Sequence, residues 1–323
     1  MKRVILTGGT GFVGANLARR LLREGHELHL LVRPQYQPWR IEQIQPDVRL
    51  HELHLHELHL HDPEAVSRIV GQIRPDWVFH LAAHGAYSWQ TDWEQMVRAN
   101  IQGTMSLVSA CLKTGFEAFV NTGSSSEYGF KDHAPAENEP VEPNSHYAVT
   151  KVAATMFCRH TAQSRRVHLP TLRLYSVFGP YEDPGRLLPN LIIQGLKGEL
   201  PPLADPDVAR DFIYVDDVIE AYLLAANVRT PEWGPIYNVG TAVQTTLREV
   251  VAVARQAMNI GAEPVWSSMP NRQWDANVWV SDNRKIRAQL NWQPQRTFAE
   301  GFRLMLDWFR QGPLPAYALK ASQ

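Results

Sequence analysis

RVILTGGTGFVGANLARRLL, residues 3–22, is the stretch on which the fold turns. Its opening residues Val4, Ile5 and Leu6 are apolar without alternation, the pattern of a strand covered on both faces. Gly8, Gly11 and Gly14 follow at three-residue spacing, and the chain then turns helical. Glycine is needed there because the backbone must turn sharply, approach a pyrophosphate and pack close to the sheet, leaving helix N-terminal amides to face the phosphates. A glycine triplet alone is a weak signal. The strand before it and the helix after it, at the start of a βαβ unit, make it a dinucleotide-binding turn.

The second strand, ELHLLV at 27–32, ends in Arg33, and Arg40 follows shortly. An acid in that place would hold the ribose hydroxyls of NAD, whereas a guanidinium suits the 2'-phosphate of NADP. Arg33 and Arg40 are therefore candidate 2'-phosphate ligands, and NADP is the expected cofactor ahead of NAD. The alternative for each is a solvated surface arginine.

Further along, short β-branched runs alternate with longer periodic stretches as far as PTLRLYSVFG at 170–179. Strand then helix, repeated with continuous apolar strands, predicts an α/β fold, a Rossmann-type doubly wound parallel sheet. From Pro180 the rhythm degrades into proline-rich connections, which predicts a smaller C-terminal α/β lobe. RDFIYVDDVIEAYLLAA (210–226) and PIYNVG (235–240) look like one more helix and strand returning to the main sheet. The expected division is residues 1–175 plus about 212–240 for the dinucleotide domain, and about 176–211 plus 241–315 for the substrate lobe.

The chain of 323 residues is 44% hydrophobic, enough for a sizeable core, and balances 32 Lys plus Arg against 33 Asp plus Glu. No global basic field is available to recruit nucleic acid or anionic membrane, so any anion must be held locally. The N-terminal apolar run is too short for a secretory signal, and no apolar stretch reaches spanning length, which reads as cytoplasmic. Cys111 and Cys158 read as small buried hydrophobes.

One segment, VRLHELHLHELHLHDPEAV at 48–66, repeats the block HELHL. A zinc-protease helix needs histidines at i and i+4, but these fall three apart, and no metal is expected. Deleting one copy leaves a strand running into the next helix. Five inserted residues would swap the faces of an extended strand, so a bulge or a looped-out copy is expected.

YAVTK at 147–151 places Tyr147 and Lys151 on one helical face. A tyrosine near its reference pKa of about 10 is a poor acid or base at neutral pH, and a neighbouring cation draws it toward working range. A Tyr-x-x-x-Lys pair is common on solvated helices. Coupled with the glycine turn and TGSSSEYG at 122–129, it points to redox chemistry.

With these motifs in order, together with FHLAA (79–83), Asn100 in ANIQGT, LRLYSVFGP, RDFIYVDDV and RQWD before SDNRK, the sequence resembles the extended short-chain dehydrogenase/reductase family, in its NAD(P)-dependent nucleotide-sugar epimerase, dehydratase and reductase branch. The resemblance runs from Met1 to about Trp308. It implies Tyr147 as acid/base, Lys151 on the nicotinamide ribose, and a hydroxyl at Ser124, with Ser125 as neighbour and possible substitute. It implies dinucleotide contacts from Gly8, Thr10, Gly11, Phe12, Val13, Gly14, Leu60, Leu81, Ala82, Ala83, Asn100, Tyr147 and Lys151. For a nucleoside diphosphate sugar it implies His84, Ser124, Ser126, Arg186, Arg210 and Arg272, with Arg210 and Arg272 clamping the pyrophosphate.

Among the branch's reactions, similar 4,6-dehydratases carry a carboxylate two residues before the Tyr-Gly tyrosine, where this chain has Ser126. Glu127, one residue later, is expected to point elsewhere. Reduction of a 4-keto-6-deoxysugar is the first expectation, 4-epimerisation the second, dehydration the third, and a dinucleotide sensor without turnover the non-enzyme alternative. The resemblance also implies a homodimer through the helices around 97–113 and 147–163.

Overall fold

Val4, Ile5 and Leu6 are fully buried. Val4 and Leu6 pack into one apolar layer and Ile5 into the other, as successive strand residues must. The computed structural model describes residues 1–52, 63–269 and 276–312. Its first half runs β1 (Arg3–Thr7), α1 (Phe12–Arg23), β2 (Glu27–Val32), β3 (Arg49–Glu52), α2 (Pro63–Ile73), β4 (Trp77–His80), α3 (Trp93–Met96), α4 (Gly103–Thr114), β5 (Ala118–Ser124), α5 (His146–Arg165) and β6 (Thr171–Leu174). The second half runs β7 (Ser176–Phe178), α6 (Leu187–Gly195), β8 (Ala209–Arg210), β9 (Phe212–Tyr214), α7 (Val215–Asn227), β10 (Ile236–Val239), β11 (Thr245–Thr246), α8 (Leu247–Met258), α9 (Arg284–Leu290) and α10 (Phe298–Arg310).

Among the described residues seven strands form one sheet, in the order β3-β2-β1-β4-β5-β6-β10. Every pairing in it is parallel. The doubly wound expectation holds, including the return of 236–239 to the sheet. Chain order reverses at β1, which lies between β2 and β4, so a crevice opens at the carboxyl ends of β1 and β4. On one face, α1, α7 and α9 contribute Leu17, Leu21, Val218, Tyr222, Ile286 and Leu290 to the core; on the other, α2, α4 and α5 contribute Val66, Val70, Leu107, Val108 and Cys158. Cys111 and Cys158 are both buried and unbridged.

A third apolar cluster lies apart from the sheet, joining Phe178, Leu191, Tyr214, Val250, Phe302 and Phe309. It assembles β7 and β9, which pair in parallel, with α6, α8 and α10. Thr246 with Glu249 and Thr297 with Glu300 form capping boxes at the starts of α8 and α10, each worth about 1 kcal/mol. Two segments fall differently from expectation. β9 pairs with β7 and not with the main sheet, while Ile286, Leu290 and Trp292 pack into the large-sheet core. Trp292 is anchored there because its indole nitrogen donates to the Asp217 carbonyl at 2.9 Å.

β3 is described as far as Glu52, just inside the HELHL doublet, and residues 53–62 lie outside the described residues. His51 of β3 meets His29 of β2 at 2.8 Å, ring stacked on ring. Burial lowers the pKa of both imidazoles. Among the described residues no helix is long and apolar enough to cross a membrane.

Candidate active site

The turn after β1 is shaped by what it touches. Gly8 takes φ +72°, and a Cβ on it would stand 2.7 Å from the Ala82 amide and the Leu81 carbonyl carbon. A Cβ at Gly14 would overlap the Gly8 carbonyl oxygen. Gly11 donates its amide to that same carbonyl at 2.9 Å. The turn therefore presses against the segment after β4, at Leu81 and Ala82. α1 starts at Gly11 with no side-chain cap and no acid in its first turn, in contrast to α5, α8 and α10, which Ser145, Thr246 and Thr297 cap. The amides of Phe12 and Val13, in the first turn of α1, are left for an external anion. That glycine cradle and bare helix start fit a dinucleotide pyrophosphate.

Arg33 stands exposed just past the end of β2. Since Thr7 pairs with Leu31, Arg33 lies level with the glycine turn. Arg40 departs from expectation. It is buried, donates to the Tyr181 carbonyl at 2.8 Å, lies 3.6 Å from Asp183 and covers the Trp39 ring. A guanidinium held by an internal carbonyl and carboxylate is a strut between the chain after β2 and the chain after β7, not a partner beside Arg33. Leu60 and Arg272 lie outside the described residues.

At the carboxyl end of β5 the chain folds into a short 3-10 turn, Ser125–Tyr128. Ser124 caps it, and Ser124 and Ser126 bring their hydroxyls to 2.7 Å; Ser125 is buried. α5 carries Tyr147 and Lys151 to the same edge. Burial pushes the pKa of the Tyr147 phenol up to about 12, against the lowering influence of the nearby Ser124 hydroxyl. Lys151 is buried and donates its ammonium to the Thr122 carbonyl at 2.5 Å. Burial lowers its pKa. The expected direct tuning of phenol by ammonium is thus not the dominant force on Tyr147 in the unliganded chain; burial is.

Glu127 does point elsewhere than the Ser124 and Ser126 hydroxyls, but the cause is a turn into the core and not strand alternation. It is fully buried, accepting from the Ser124 amide at 2.8 Å, from Thr155 at 3.0 Å and from Arg173 at 2.9 Å. The 3-10 turn rotates it inward, which breaks the strand periodicity on which the expectation rested. Arg173 in turn covers the Tyr128 ring, whose hydroxyl donates to Asn238 at 2.8 Å. This buried pair fixes Ser124 from below, and its one sequence signal was an arginine inside the otherwise apolar strand LRL.

Asn100 sits in a π-helical segment, Val97–Gln102, between α3 and α4. Its side chain is spent on protein: it accepts from the His84 amide and donates to the His84 carbonyl, both at 2.8 Å, and to Thr150 at 2.9 Å. His84 is thereby fixed through its backbone. Ala83 is exposed at the crevice. Arg186 precedes α6, lies 3.7 Å from Glu182 and faces the Tyr87 ring at 5.6 Å. Arg186 and Tyr87 both lie within electrostatic reach of the Tyr147 phenol. Sequence reading missed Tyr87, which stacks on Trp89 at 4.5 Å. Glu182 is buried there, and burial raises its pKa to about 8. Arg210 belongs to a different surround, donating to the Ala209 carbonyl at 2.7 Å beside the Trp279 ring. Its neighbour Asp211 accepts from Thr241, Ala242 and Ser281, tying that strand to the loops after β10 and before α9.

Comparison with known proteins places this geometry in context. The model of the NAD dependent epimerase/dehydratase family matches residues 4–240. The UDP-glucose 4-epimerase of Mycolicibacterium smegmatis is 28% identical over 317 residues, 95% of this chain and 98% of that protein. A trifunctional UDP-glucose 4,6-dehydratase/UDP-4-keto-6-deoxy-D-glucose 3,5-epimerase/UDP-4-keto-L-rhamnose-reductase of Arabidopsis thaliana is 25% identical over 321 residues, 97% of this chain and 47% of that protein, so the chain spans about half of that relative's length. Among solved structures, a Thermus thermophilus UDP-glucose 4-epimerase in complex with NAD is similar with a TM-score of 0.82 and 30% identity, covering 95% of this chain and 99% of the other.

Proposed function

The chain belongs to the NAD-dependent epimerase/dehydratase family, and from that premise we propose that it is an oxidoreductase acting on a nucleoside diphosphate sugar, reducing the keto group of a 4-keto-6-deoxysugar with NADPH. The observation that carries this reading is the state of the carboxylates around Ser124. Glu127 is locked against Arg173 and the Ser124 amide, and Ser126 offers a hydroxyl, so this turn presents no carboxylate for removing protons in a dehydration. What remains is a hydroxyl and phenol pair suited to one oxygen atom.

A bound nicotinamide dinucleotide would supply the hydride. The chain's own residues would do the rest. The uncapped start of α1 would hold the pyrophosphate, and Arg33 the 2'-phosphate. Ser124 would hydrogen-bond the sugar carbonyl oxygen, and Tyr147, protonated at neutral pH because burial raises its pKa, would give that oxygen its proton. Lys151, one turn along, would hold the nicotinamide ribose and compensate the phenolate left behind. Arg186 and Tyr87 would line the sugar side, and Arg210 and Arg272 would take the sugar pyrophosphate.

The second reading is a 4-epimerase, favoured by the likeness to UDP-glucose 4-epimerases. Mass spectrometry of products from a panel of nucleoside diphosphate sugars and their 4-keto derivatives, with NADPH and with NADH, separates the two. Reduction of a 4-keto substrate with net consumption of NADPH supports the first; interconversion of 4-epimers without net cofactor consumption overturns it. We further propose a homodimer through α4 and α5, on which Met105, Val149 and Met156 remain exposed. A monomer in light scattering would remove that proposal.

A further inference from the structure

The buried histidine of FHLAA has no part in the chemistry above, yet it is bonded on both sides. His80 ends β4 and is 3% exposed. Its Nδ1 lies 2.7 Å from the Thr7 hydroxyl and its Nε2 2.9 Å from the Thr104 hydroxyl.

The direction of each bond follows from the atoms beyond. Thr104 has a single hydroxyl proton, and its bond at 2.6 Å to the Asn100 carbonyl, which can only accept, uses it. Thr104 must then accept from His80, which puts the ring proton on Nε2. A neutral ring with that proton has a bare Nδ1, so Thr7 donates to it. Thr7 in turn accepts from the Ala82 amide at 3.2 Å. On the far side, Asn100 donates to Thr150, and Thr150 donates to the Tyr147 carbonyl at 2.8 Å. The line therefore runs from Ala82, against which the glycine turn packs, through β1, β4, α4 and the π-helical segment to the residue that bears the phenol.

We infer that His80, held as its Nε2–H tautomer, is a positioning residue that sets the glycine turn and the Tyr147 helix in one register through two runs of hydrogen bonds that meet at Asn100, one ending on its carbonyl and the other starting from its side-chain amide. This rests on the proposed role of Tyr147, although the hydrogen bonds themselves do not. Two features keep the ring neutral. Burial first, and then the nearby Lys151 ammonium, lower its pKa to about 3. A proton on Nδ1 would turn Thr7 from donor to acceptor, so protonation would reverse the bond between them. Asn100 lies in the π-helical segment at 97–102, where its side chain reaches Thr150 of α5 while its carbonyl accepts from Thr104.

The two ends can be cut separately. In H80N the side-chain oxygen takes the place of Nδ1 and keeps Thr7, but nothing reaches Thr104; in H80Q the amide takes the place of Nε2 and keeps Thr104, but Thr7 loses its acceptor. The expected result is a split. H80N should bind dinucleotide within about twofold of the parent, measured by fluorescence titration, with kcat lowered on the order of tenfold or more through misplacement of the phenol. H80Q should weaken dinucleotide binding and leave kcat at saturation closer to the parent. T104V should behave as H80N, and T104S should restore kcat. A structural role alone would lower Tm in all four without the split. Independently of turnover, long-range 1H–15N correlation spectra of histidine-labelled unliganded protein should show the His80 proton on Nε2. A proton on Nδ1, or equal loss of binding and kcat in both His80 variants, overturns the inference. Failure to find a sugar substrate would sink the functional reading and leave the tautomer and binding tests standing.

Discussion

At the residue scale, the phenol of Tyr147 is where chemistry and structure meet. Its pKa of about 12 in the unliganded chain comes first from burial, so at neutral pH it is a proton donor waiting for an acceptor oxygen. Tyr147→Phe keeps the ring and removes the hydroxyl that carries the proton. It should therefore abolish turnover, by at least about a hundredfold on the general-acid scale, while the dinucleotide titration stays near the parent value. Turnover surviving that change would mean that another group supplies the proton. The glycines were legible at this scale because their reason is local: Gly8 needs its positive φ, and Gly14 needs its missing side chain, whatever the rest of the chain does. Arg40 was not legible. An arginine after a second strand is equally good as a phosphate ligand or an internal strut, and the choice depends on Tyr181 and Asp183, which lie about 140 residues away in sequence.

At the element scale, the 3-10 turn after β5 shows how a short element redirects a side chain. The turn puts Glu127 under Ser124, and Arg173 on β6 meets it there. Removing one partner of a fully buried pair leaves a charge with no compensation, which costs about 3–5 kcal/mol. R173M should therefore destabilise the protein by an amount in that range, read from urea unfolding. A double variant, E127L/R173M, should recover much of the loss if the second change removes the stranded charge. A cost for R173M below 1 kcal/mol would show that Glu127 finds compensation other than the arginine. Strand and helix assignments along the first half were readable because buried parallel strands have a distinctive composition. The end of β5 was not, since strand alternation stops applying where the turn begins.

At the scale of the whole molecule, two buried groups set opposing pH dependences. His80 has a folded pKa of about 3, below its reference of 6.5, so between those values the unfolded chain binds more protons and stability falls as pH falls. Glu182 has a folded pKa of about 8, above its reference of 4.5, so between those values the folded chain binds more protons and stability falls as pH rises. From pH 6.5 down to 4.5 the two nearly cancel, each with a slope of up to about 1.4 kcal/mol per pH unit. The E182Q variant should unmask the histidine. Its urea midpoint should drop steadily from pH 6.5 to 4.5, while that of the parent changes less over the same interval. Parallel curves for the two proteins would show that the carboxyl does not titrate between those limits.

The sequence by itself determined the layered sheet, the dinucleotide turn and the pairing of a phenol with an amine on one helix. Each of these rests on neighbours within a few residues, through strand burial, backbone conformation or helical spacing. The tertiary structure alone decided that Glu127 faces inward, that Arg40 is a strut, that the segment around Trp292 rejoins the large core, and that His80 spans β1 and α4. Those outcomes depend on which distant atom offers a bond once water is excluded, and a linear pattern carries no record of that.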